Sequence, residues 1–104
     1  MADRYTALAS LLAQLQQTLE QQGLWQLQPP SAEALASTEP FCVDTLRFEQ
    51  WLQWIMIPRF RALIDAGMAL PASCNIAPYA EEALPGQPEI VALVLQIDQL
   101  CNGV

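Results

Sequence analysis

The chain has 104 residues, 53% of them hydrophobic and 14% charged, the profile of a folded domain and not of a disordered segment. Eleven acidic residues against four arginines give a net charge of −7, so no basic stripe can be built for a phosphate backbone or an anionic membrane. Histidine and lysine are both absent. That removes the commonest general base and metal ligand, the P-loop lysine and Schiff-base chemistry.

A chain of this length is expected to form one domain spanning 1–104 and to bury about 65% of the surface it exposes when unfolded. Its longest apolar run, Ile90 to Leu95, covers six residues, far short of the roughly 20 that cross a bilayer. The start, MADRY, carries an acid and an arginine and lacks a signal-type apolar segment. Cys42, Cys74 and Cys101 are odd in number and widely spaced, without a CxxC pair. They read as buried free thiols in a reducing compartment, and the expected location is the cytoplasm.

The first element is a helix. Tyr5, Leu8, Leu12, Leu15 and Leu19 recur at steps of three and four and so share one face. Asp3 suits its cap and Gly23 its left-handed stop. The next stretch, LWQLQPPSAEALASTEP, mixes apolar side chains with Pro29, Pro30 and Pro40 and has room for a short helix over Ser31 to Ser37.

Asp44 or Thr45 is placed to cap a central helix that holds FEQWLQWIMIPRF, Phe48 to Phe60. Pro58 falls inside its periodic pattern, where it lacks a donor and presses on the carbonyl four residues back, so a kink or a helix restart is expected. The helix should then run to about Ala66 and stop at Gly67. On a wheel of about 100° per residue, Phe48, Trp51, Leu52, Ile55 and Leu63 share a broad apolar face. Trp54, Ile57 and Ile64 fall among the polar group of Arg47, Gln50, Gln53, Arg61 and Asp65. Trp54 and Ile57 are therefore expected to lie beneath the Pro-rich loops.

Arg59 falls amid the apolar face of that wheel. A guanidinium facing a core must pair or reach water, and the expected partners are Glu81 and Glu82, just after Pro78. Pro78 suits a first helical position, with Glu81 and Glu82 complementing the dipole of that short helix. Pro88 and Glu89 open a last helix, in which Ile90, Val94, Ile97 and Cys101 share a stripe and which Gly103 closes. The expected fold is all-α: a compact four-helix array with Pro-rich ordered loops and a kinked central helix.

The segments PFCVDTLRFEQWLQWIMIPRF (Pro40 to Phe60), Leu70–Pro71 and IAPYAEEA (Ile76 to Ala83) resemble the YqcC-like family of small bacterial proteins. A weaker match runs through IVALVLQIDQL (Ile90 to Leu100). Met56, Ile57, Pro58, Arg59 and Phe60 stand where the family usually has Phe-Ile-Pro-Arg-Met, a swap that keeps apolar volume. The resemblance implies a compact four-helix fold and a loose link to a tRNA pseudouridine synthase, and it brings no catalytic residues with it.

The expected function is protein binding, with a basic RNA-modifying enzyme as a candidate partner for the acidic surface. The groove for it is expected between the Trp54 helix and the Tyr79 to Glu82 segment. Trp51, Trp54, Ile57, Pro58, Arg59, Tyr79, Glu81 and Glu82 are the candidate interaction and structural residues. A ligand carrier is the alternative, requiring a cavity lined by Trp51, Trp54 and Phe60. A carboxylate enzyme using Glu81 and Glu82, with Tyr79 or Cys74 alongside, ranks third, since neighbours on a helix diverge by about 100°. Asp44, Glu49 and Asp65 lack EF-hand spacing. No metal, cofactor or catalytic residue is assigned, and neither nucleic acid nor membrane is an expected partner. A second copy of the chain could equally cover an open apolar helix face.

Overall fold

Asp3 starts the first helix, α1 (Arg4–Gln21), by accepting the Thr6 N–H at 2.7 Å. This satisfies one of the donors that a helix start leaves open and holds the Asp3 carboxyl below its ordinary range. Leu8, Leu12, Leu15 and Leu19 are fully buried along one stripe. Gly23 takes the left-handed conformation beyond the helix end, at φ 72°. The coordinates are a computed structural model that describes residues 3–71 and 73–103. Met1 and Ala2 of the MADRY start, Ala72 of the loop before Ile76, and Val104 lie outside the described residues.

The last helix, α6 (Pro88–Cys101), packs against α1 and against the short α5 (Ala77–Ala83). Its stripe of Ile90, Val94, Ile97 and Cys101 is buried, as the spacing predicts. Arg4 closes the carboxyl end of α6 by donating to the carbonyls of Leu100 and Cys101, where a cation opposes the helix dipole. The short α2 (Ala32–Leu35) is capped by Ser31, whose Oγ accepts from Ala34 N–H at 3.1 Å. Among the described residues there is no strand, and the fold is all-α.

The central rod is continuous. It comprises α3 (Phe48–Trp51), a π-helical turn (Leu52–Met56) and α4 (Ile57–Ala66), which ends at Gly67 with φ 65°. Neither expected cap starts it. Asp44 instead accepts from Ser37 Oγ, and Thr45 Oγ1 donates to Ala34 O at 2.7 Å, so both tie the preceding segment back on itself. The start is made by Gln50, whose Oε1 accepts the Arg47 N–H at 2.7 Å.

The break expected at Pro58 takes the form of this π turn followed by a new α-helix with Pro58 in its first turn. In an unbroken α-helix the Pro58 ring would press on the Trp54 carbonyl. Widening the turn before it moves that carbonyl away, and Ile57 N–H reaches back five residues to Leu52 O. A π turn holds one more residue than an α turn, so side chains beyond it are set back by about 100°. This overturns the wheel: Ile57 and Phe60 rotate into the core, at 1% and 5% exposure, and Arg59 rotates out to solvent.

The core draws on α1, the rod, α5 and α6 in one cluster. Among the described residues no helix is long and apolar enough to cross a membrane.

Candidate functional site

Three local irregularities meet at one place on the rod. The first is a 3₁₀ turn, Pro40–Cys42, in which Phe41 and Cys42 are both left-handed, at φ 57° and 51°. A bulky side chain there is an outlier that costs roughly 1–3 kcal/mol and marks a site worth reading for function. The conformation lays the Phe41 ring on Tyr79, stacked with centroids 4.6 Å apart, and edge-on to Trp51 at 4.9 Å. Phe48 completes the group, 5.4 Å from Tyr79 and 5.8 Å from Trp51.

The second irregularity is the π turn, which aims Arg59 outward beside these rings. The third is the stretch from Ser73 to Ile76, which lies outside any helix and is tied to α6 by side chains. Asp98, 4% exposed, accepts the N–H groups of Ile76 at 2.7 Å and Ala77 at 2.8 Å through Oδ2. It thereby caps α5 from another helix. Asn102 pairs with the backbone of Cys74 in both directions, each hydrogen bond 2.8 Å long.

Two open clefts adjoin here and share Phe41, Trp51 and Arg59. One, of about 230 Å³, is walled by Phe60, Leu63 and Ile76 with Ser73 and Asn75 as its polar edge. The other, of about 330 Å³, lies towards Leu35, Glu39 and Ile55.

The expected Arg59 pairing does not form. Arg59, Glu81 and Glu82 are all exposed, because the π turn carries the guanidinium off the apolar face. The role foreseen for that ion pair, fastening α5 to the rest, belongs to Asp98. Glu81 and Glu82 also miss the first turn of α5, which contains no acid. The required cavity of Trp51, Trp54 and Phe60 is likewise divided, since Trp51 and Phe60 line the smaller Arg59 cleft and Trp54 does not.

Trp54 sits instead beneath the chain after α1. Its Nε1 donates to Gln26 Oε1 at 3.1 Å. The buried Gln53 reads the Gln26 backbone, accepting its N–H at 2.8 Å and donating to its carbonyl at 2.7 Å. With Ile57, Pro58 and Arg61, these residues line a separate hollow of about 350 Å³. The rod that carries Trp54 meets Tyr79 through Phe48, while Trp54 itself faces the segment after α1, so among the described residues Trp54 does not share a groove with Tyr79 to Glu82.

The sequence assigns no role to Phe41, Asp98 or Asn102, and it sets Gln53 among the polar group where the structure buries it. Only Asp98 leaves a usable signal: it follows Ile90 and Val94 at steps of four and so falls on the buried stripe. All three cysteines are free. Burial pushes the Cys101 thiol up to about 12, reinforced by its hydrogen bond with Cys74. Burial also raises Cys74, against the lowering effect of the same contact.

These features define a small all-helical protein with an aromatic-walled cleft and an outward arginine. Residues 7–100 match the DUF446 family, described as "tRNA pseudouridine synthase C", and the chain belongs to that family. It is 47% identical over 95 residues to an uncharacterised protein of Haemophilus influenzae, covering 88% of this chain and 90% of that one. Escherichia coli YqcC is 33% identical over 90 residues, covering 86% and 83% of the two chains. The solution NMR structure of YqcC superposes with a TM-score of 0.85, covering 97% of this chain and 90% of that one at 31% identity. A protein of Pectobacterium carotovorum named tRNA pseudouridine synthase C is 47% identical over 62 residues. The match takes in 60% of this chain but only 16% of that protein.

Proposed function

We propose that this protein is an accessory module that binds another protein, with a basic RNA-modifying enzyme of the pseudouridine synthase kind as its partner. The Pectobacterium match carries the reading. A stretch like this one accounts for 16% of a protein bearing a synthase name, which leaves most of that protein outside the match and supports a companion role over a catalytic one. Charge supports the same reading. At −7 the chain is a poor match for tRNA phosphates but suits the basic surface that an RNA-modifying enzyme presents. The working compartment we assign is the cytoplasm, on the strength of three unpaired cysteines.

The contact surface we assign is the groove between α5 and α6. It is lined by Glu81, Pro85, Pro88, Val91, Ala92 and Leu95, with Leu95 44% exposed. Its floor is apolar, its charged edge is a glutamate, and no arginine lines it. A basic amphipathic segment is the complementary occupant.

The test mixes the purified protein with purified tRNA pseudouridine synthase C from the same source and follows the complex by calorimetry at low and moderate salt. Heat of binding that weakens with salt, and that Leu95→Arg abolishes, is the expected result. No binding at either salt concentration sinks the reading.

A further inference from the structure

We infer that the smaller cleft beside Arg59 binds a small monocarboxylate carried on an aromatic or branched apolar tail. Its position follows from the irregular backbone around it. The left-handed Phe41 and Cys42 set the aromatic wall, the π turn aims the guanidinium, and the Asp98 and Asn102 tethers hold the opposite loop. Any one of these could be incidental to folding. All three shape the same 230 Å³.

The chemistry of the ligand follows from the lining. Trp51, Phe60, Leu63 and Ile76 offer apolar walls, Ser73 and Asn75 offer neutral hydrogen bonds, and Arg59 supplies the charge. No Asp or Glu lines this cleft, in a chain where acids outnumber arginines eleven to four. Arg4 is engaged by the carbonyls at the end of α6, and Arg61 by Gln16 Oε1 at 2.8 Å. The Arg59 side chain makes no hydrogen bond among the described residues, and its planar fork matches a carboxylate in bidentate fashion. One cation within a strongly negative molecule favours a monoanion over a phosphate or a polyanion. The volume is below that of drug-sized sites, which keeps the tail to a single ring or branched chain.

This site lies apart from the α5–α6 groove and does not depend on any protein partner. The test is therefore run on the purified protein alone, by ¹H–¹⁵N NMR titration with phenylpropionate. Phenylpropionamide serves as the uncharged control and a short peptide with adjacent Phe and Glu as the docking control. Saturable shifts are expected at the Trp51 indole N–H and at Ser73 to Ile76. Both the amide and the Arg59→Gln variant should bind at least about tenfold more weakly, the scale of a lost charge-assisted hydrogen bond. Arg59 is exposed, so that variant keeps a dispersed native spectrum. Equal binding of acid and amide, shifts centred elsewhere, indifference to Arg59→Gln, or no saturation would each overturn the assignment. Binding of the peptide alone would also overturn it, in favour of a docking groove.

Discussion

Asp98 shows how much one buried carboxylate can organise. It sits on the inward stripe of α6, where an aliphatic side chain would be the ordinary choice, and its Oδ2 takes two backbone donors at the start of α5. A helix as short as α5 lacks the length to hold itself together, so its stability comes from this cap and from the apolar contacts of Ala77 and Ala80. Removing the carboxylate strands two donors where water has little access. Asp98→Ala should destabilise the fold by about 2–6 kcal/mol in urea denaturation, since each of two buried donors left without a partner costs about 1–3 kcal/mol. A loss below about 1 kcal/mol would mean that α5 is held by packing alone. Its spacing from Ile90 and Val94 gives Asp98 away in the sequence. Its partners stay hidden, because they are backbone groups that carry no residue signature.

At the scale of elements, the helices with plain periodicity were readable and the irregular ones were not. α1 and α6 follow from leucine and aliphatic spacing, with Asp3, Gly23 and Pro88 marking their ends. The rod follows only as far as Leu52. A wheel assumes constant winding, and the extra residue in the Leu52–Met56 turn invalidates every angle after it. The Phe41–Cys42 turn was equally opaque, since nothing in those side chains favours positive φ. The wound-back register makes a ranked prediction. Ile57→Ala should cost about 2–5 kcal/mol, as for a fully buried aliphatic residue. Ile55→Ala, at a half-buried position, should cost only about 1 kcal/mol. The reverse order in chemical denaturation would mean that the rod is an uninterrupted α-helix. Arg59 leaves the apolar face for this single reason while Ile57 is buried as expected, and the Arg59 cleft follows from that shift.

Across the whole molecule, eleven acids and four arginines leave an unbalanced surface, and self-repulsion of like charges weakens a compact state. Raising ionic strength shortens the reach of that repulsion from about 30 Å at 0.01 M to about 10 Å at 0.1 M. The melting temperature should therefore climb by a few degrees between these concentrations in calorimetry. A fall would point instead to ion pairs that salt disrupts. The same charge leaves Arg59 as a lone positive feature beside its cleft, on a face whose far wall is the loop that Asn102 grips at Cys74. That grip engages only the peptide group, through one N–H and one carbonyl. The Cys74 side chain turns to the core and to Cys101, while its exposed neighbours Ser73 and Asn75 face the cleft. Evolution can thus rewrite those two positions while the wall itself stays in place, a scaffold on which new selectivities can be tried without unfastening the loop.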